Sequence, residues 1–123
     1  MEILMKRVGE PLEFIPTNRT YRCDAAQDVL KGEITYVQVA PRLWMCIASE
    51  CSSEEFNFLF PPIGEYPIQL IAGDAVFIKT SAPNFLQALY DLEIEPITDT
   101  EYAMLQEILS IGGQNLIANE FNK

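Results

Sequence analysis

The stretch Glu33-Ile34-Thr35-Tyr36-Val37-Gln38-Val39-Ala40-Pro41-Arg42-Leu43-Trp44-Met45-Cys46-Ile47-Ala48 sets the architecture of this chain. Glu33 to Val39 alternates with period two. Ile34, Tyr36 and Gln38 fall on one face and Thr35, Val37 and Val39 on the other, the pattern of a β-strand. Leu43 to Ala48 reads as its antiparallel partner, with Pro41-Arg42 in the connection.

Working outward, Glu2 to Val8 and Leu12 to Ile15 are β-prone and flank the turn signal Gly9-Glu10-Pro11, which predicts a hairpin. Asp24 is placed to cap a two-turn helix through Ala25, Ala26, Val29 and Leu30 that stops at Gly32. Phe56-Asn57-Phe58-Leu59-Phe60 alternates again until Pro61-Pro62, whose rings supply no N–H to a ladder. Tyr66 to Thr80 reads as a hairpin turning at Ala72-Gly73-Asp74. Asn84 caps an expected helix from Phe85 to Leu92. Thr98-Asp99-Thr100-Glu101 matches the capping box of a last helix, with Tyr102, Leu105, Ile108 and Leu109 as its apolar stripe and Gly112-Gly113 as its stop. The expected fold is α+β: a mainly antiparallel sheet of hairpins and meanders, a short N-terminal helix, and C-terminal helices packed on one face. Residues 1–113 form one domain in this reading, and 114–123 a flexible tail.

Composition bounds the function more firmly than any motif. The 123 residues include no histidine, which removes the commonest general base and metal ligand. Cys23, Cys46 and Cys51 are odd in number, which points to a reducing cytoplasm rather than a disulfide scaffold. The C-x4-C spacing of Cys46 and Cys51 has no second pair to complete a zinc site. Ser49, Ser52, Ser53, Cys46 and Cys51 are candidate nucleophiles, but Glu50, Glu54 and Glu55 around them raise a thiol's pKa instead of lowering it. No glycine pattern cradles a phosphate. The expectation is therefore no catalytic residue, no cofactor and no metal. The apolar runs are far shorter than the roughly 20 residues that cross a bilayer, and the basic pair Lys6-Arg7 follows its apolar run, the wrong order for a signal peptide.

The net charge of −10 is unevenly spread. Residues 1–42 hold six acids and six bases, whereas residues 43–122 hold twelve acids against one base, Lys79. Such a field repels nucleic acid and attracts a basic protein surface. Asp91, Glu93, Glu95, Asp99 and Glu101 are the densest acidic run and the candidate partner-binding residues. The run lacks the glycine and terminal glutamate of a calcium loop. Three readings follow: a non-enzymatic acidic protein that binds a partner, a DNA-mimic inhibitor of a restriction or other nucleic-acid enzyme, or a small-ligand binder or enzyme with a pocket among Trp44, Phe56, Phe58, Phe60, Tyr66 and Phe77. The same rings, left uncovered, would suit a protein partner or self-association into a homo-oligomer.

Three segments carry a family resemblance: Val29-Leu30-Lys31-Gly32 before Glu33-Ile34-Thr35-Tyr36-Val37, then Leu70-Ile71-Ala72-Gly73-Asp74-Ala75-Val76-Phe77-Ile78, then Ile97-Thr98-Asp99-Thr100-Glu101. In their order the chain resembles, over roughly residues 1 to 110, an uncharacterised domain-of-unknown-function family (3846) of bacterial phages, plasmids and integrative elements. The loop from Ser49 to Pro62 departs from that family's pattern. The resemblance implies no catalytic residues. It implies a mobile-element setting in which small acidic proteins act by binding a host protein.

Overall fold

The computed structural model describes residues 1–49, 55–63, 65, 67–81 and 92–121, from 111 onward as backbone. Its elements are β1 (Glu2–Lys6), β2 (Glu13–Pro16), α1 (Arg22–Val29), β3 (Ile34–Ala40), β4 (Leu43–Ala48), β5 (Phe56–Phe60), β6 (Gln69–Ala72), β7 (Ala75–Thr80), β8 (Ile94–Glu95) and α2 (Asp99–Phe121). The main sheet runs β2-β1-β7-β4-β3, all antiparallel, with β8 added to β7. The α+β architecture expected from the alternating segments is the one observed. The predicted helix from Phe85 to Leu92 lies outside the described residues except at Leu92.

The central strand is β7, and its composition explains why. Ala75, Val76, Phe77 and Ile78 are all buried, so the strand needs cover on both faces. Ala75 and Phe77 join Leu4, Val37, Leu43 and Met45 in one apolar cluster, which Phe58, Phe60, Ile71 and Leu105 cover. Val76 and Ile78 join Ile3, Met5 and Cys46 on the opposite face, beneath Ala25 and Ala26 of α1 and Leu30 just after it. Along one edge of β7, β4 pairs from Ala75 to Lys79. On the other, β1 pairs with Ala75 to Phe77 and β8 takes Lys79 and Thr80, where β1 has ended.

Three expectations are corrected. Ala72-Gly73-Asp74 does not close a hairpin: β6 pairs with β5 in a separate two-stranded ribbon, while β7 enters the main sheet. The crossing is made by Gly73, at a left-handed φ of 74°, whose N–H donates to the Glu55 carbonyl over 2.7 Å. A bulge at Asn57 shifts the β5–β6 register, and the Asn57 amide donates to the carbonyls of both Lys6 and Gly73 over 2.8 Å. Asn57 thereby ties the ribbon to the end of β1 in the main sheet, a long-range contact that periodicity does not carry.

Asp24 does not cap α1. The cap residue is Tyr21, with no side-chain cap bond, and Asp24 lies in the first turn, where the positive helix end favours a carboxylate. Strand pairing does part of the work of a cap, since the Arg22 N–H donates to the Leu92 carbonyl over 2.9 Å.

Nor does Gly112-Gly113 stop α2, whose backbone stays helical to Phe121 through most of the segment expected as a tail. Glycine costs only about 1 kcal/mol against alanine inside a helix, and no proline follows to end it.

Neighbouring residues of β6 offer a direct check. Ile71 is buried in the core and Leu70 faces outward. Ile71→Ala is expected to cost about 2–5 kcal/mol of unfolding free energy and Leu70→Ser about 0.5 kcal/mol or less, measured by denaturant titration. Equal losses at the two positions would contradict the assignment of faces.

Candidate functional site

The structure scatters the predicted acidic residues and commits two of them to the fold. Asp91 lies outside the described residues. Glu93 is exposed and forms a bridge with Tyr21, and its carbonyl accepts from the Ser81 N–H over 2.9 Å. Glu95 is paired with Arg42 over 3.1 Å. Arg42 takes a left-handed backbone conformation at φ 63° as the second residue of the Pro41-Arg42 turn between β3 and β4, and its carbonyl accepts from the Thr80 N–H over 2.8 Å.

Glu101 is the most committed. Its carboxylate accepts from the Thr98 N–H over 3.0 Å and the Thr98 hydroxyl over 2.9 Å, while its own N–H donates to that hydroxyl oxygen over 3.2 Å. The capping box read from the sequence is therefore formed, and the Lys79 ammonium joins it over 3.0 Å. Burial of the Glu101 carboxylate opposes ionisation, but the Thr98 donors and Lys79 outweigh it and hold the pKa below the ordinary value.

Asp99 is exposed at the start of α2 and lines an open hollow of about 590 Å³ with Glu2, Phe14 and Pro96. Among the described residues, Glu93 and Asp99 are the members of the acidic run that form no ion pair.

The nucleophiles weighed from the sequence are not gathered either. Cys46 is buried, and the Ser49 hydroxyl is hydrogen-bonded to that of Thr35 over 2.6 Å. Ser52, Ser53 and Cys51 lie outside the described residues, as do Glu50, Glu54 and Tyr66. Burial, and then the Cys23 thiol beside it, pushes the Tyr36 phenol up, so it stays protonated at neutral pH. The Arg22 guanidinium lies 4.2 Å from the Tyr36 ring centre and 4.7 Å from that of Trp44, whose indole N–H donates to the Thr80 hydroxyl over 2.9 Å. This stack anchors α1 to the sheet. Among the described residues no group of three or more Cys, Asp or Glu converges as a metal site, and no helix is long and apolar enough to cross a membrane.

The outer face of the β5–β6 ribbon was anticipated from the sequence only at Phe56, not at Ile68 and Leu70. Phe58, Phe60 and Ile71 turn inward, and Phe58 and Phe60 pack against Phe77 at centroid distances of 6.3 and 6.5 Å. Across the pair, Leu59 stands opposite Leu70. Leu70 is 65% exposed, Phe56 just before the bulge 49%, and Ile68 at the entry to β6 44%. The ribbon's own charges have one sign, since residues 55–72 contain Glu55 and Glu65 and no base; a nearby cation is Lys6 of β1, whose ammonium donates to the Asn57 side chain over 2.9 Å. A concentrated apolar face with an acidic rim is chemistry for a protein surface. The alternation of Ile68 and Leu70 with Gln69 and Ile71 was visible in the sequence, but period two alone does not say which set faces the core.

The Glu101 box carries a pH signature. Its pKa is lower folded than unfolded, so its contribution is full above the ordinary carboxyl pKa and is lost as pH falls through the depressed value. Glu101→Gln is expected to cost about 1 kcal/mol at pH 7 and to flatten the loss of stability on the acid side, read from denaturation midpoints between pH 7 and pH 2. An acid limb that superimposes on the native one would contradict this role. Comparison with known proteins adds no identity: no family model, no curated protein and no solved structure matches this chain.

Proposed function

We propose that this chain is a non-enzymatic acidic binding protein that regulates or inhibits a host protein partner, and that the outer face of β5–β6 is its contact surface. The observation that carries the reading is the exposure of Leu70, 65%, within an apolar face that also includes Phe56 and Ile68. Leaving such side chains in water forfeits about 25 cal/mol per Å² that a partner would recover, and a buried apolar centre is the usual anatomy of a protein interface. The charge distribution specifies the partner further. With one base among residues 43–122, and that base paired with Glu101, the field over this part of the chain favours a basic surface.

The commitment of Glu95 and Glu101 to internal pairs moves the centre of the proposed interface from the acidic run to the ribbon, with Glu93 and Asp99 left to steer. The family resemblance supports a phage or mobile-element setting, and the odd number of cysteines supports action in the cytoplasm.

Affinity capture from bacterial lysate, run in parallel with the native chain and with Leu70→Ser, tests the reading. The expected result is a protein retained by the native chain, reduced at least about 10-fold by Leu70→Ser, and released progressively as salt is raised. Equal retention by both chains would remove the ribbon from the interface.

A further inference from the structure

Resting on the docking role proposed for the ribbon, we infer that β6 receives an extended, basic segment of the partner as a third strand. β6 pairs with β5 and, among the described residues, with no other strand. A strand with one unpaired side presents a row of backbone N–H and C=O groups, a template for another strand. Proteins ordinarily blunt such an edge with lysine, an internal proline or a bulge on the edge strand. Ile68-Gln69-Leu70-Ile71-Ala72 carries no charge and no proline, and the ribbon's bulge sits on the other strand, at Asn57. The exposed Leu70 lies on this strand, so its apolar side chain and a backbone edge unpaired among the described residues are offered together.

The acids select the occupant. Glu65 is exposed in the connection leading into β6, and Glu55 is exposed opposite its other end, where its carbonyl accepts from the Gly73 N–H. An incoming strand about 4.8 Å from β6 therefore meets apolar side chains in its middle, the Glu65 carboxylate toward one end, and an acidic field from the ribbon as a whole. A segment with alternating apolar residues and flanking Lys or Arg satisfies both.

A second copy of this chain supplies the apolar alternation but not the bases. It would set the acids at the two ends of β6 toward acids of the other copy, on a molecule of net charge −10. A strand of four residues is also far smaller than the roughly 20–30 residues a side of a stable interface. A short segment tethered within a larger partner needs no such area.

The test pans a random 12-residue peptide library against the full chain, then measures binding of the synthesised winners by fluorescence polarisation. Enriched peptides are expected to combine alternating apolar residues with flanking Lys or Arg. Binding should weaken at least about 10-fold with Leu70→Ser and with Ile68→Ser, each confirmed folded by thermal melting. It should weaken similarly when alternate peptide nitrogens are methylated, which removes ladder donors without touching the protein. Failure to enrich peptides, selection of acidic or helical sequences, or indifference to N-methylation would overturn strand addition. If Leu70→Ser still abolished lysate capture in any of those cases, the docking role of the ribbon would stand without it. Peptide and lysate binding both unchanged by Leu70→Ser would overturn both. A concentration-dependent dimer lost with Leu70→Ser would replace the partner segment by a second copy.

Discussion

Burial of β7 on both faces is the constraint from which the rest of the structure follows. A run of four buried residues, Ala75 to Ile78, is stable only with strands at both edges and a layer over each face. β1 and β4 supply the edges, and α1 supplies one layer. The other layer is shared between α2 and the β5–β6 ribbon, because Leu105 on one and Phe58, Phe60 and Ile71 on the other fill the same cluster. Covering a core with a two-stranded ribbon has a cost that a helix does not share. A ribbon shows half its side chains to solvent and ends in open backbone edges, and here the outward half is apolar.

The charge arrangement divides in the same way. Two acids in the C-terminal part are neutralised locally: Glu101 closes the start of α2 and holds Lys79, and Glu95 pairs with Arg42. Acids at Glu55, Glu65, Glu93 and Asp99 remain exposed. The chain thus separates carboxylates that position its own elements from carboxylates that shape its outer field. In the proposed function that field acts on a partner's basic surface, with the ribbon providing the apolar contact.

How much was legible in the sequence depended on the range of the deciding interaction. β3, β4, the β1–β2 hairpin and the Thr98–Glu101 box rest on period-two patterning, turn chemistry or contacts three residues apart, and all stand in the structure. The pairing of β6 was misread because Gly73 makes an equally good hairpin turn or crossing. What separates the two is Asn57 reaching Lys6 and Gly73 from 51 and 16 residues away in the chain. The start of α1 was misread for a related reason, since Leu92 supplies an acceptor that no local pattern announces. The candidate site suffered most. An acidic run is conspicuous in a sequence, but which carboxylates are already paired, and which face of Ile68-Gln69-Leu70-Ile71 looks outward, are settled only by packing.

Amide hydrogen exchange of the free chain, resolved to single residues, tests the central claim most directly. The account predicts that amides of Ala75 to Ile78 exchange only through global unfolding, while those of β6 not bonded to β5 exchange orders of magnitude faster through local access to solvent. Protection of every β6 amide to the level of β7 would contradict it, by showing that the edge and face assigned to a partner are already covered in the isolated protein.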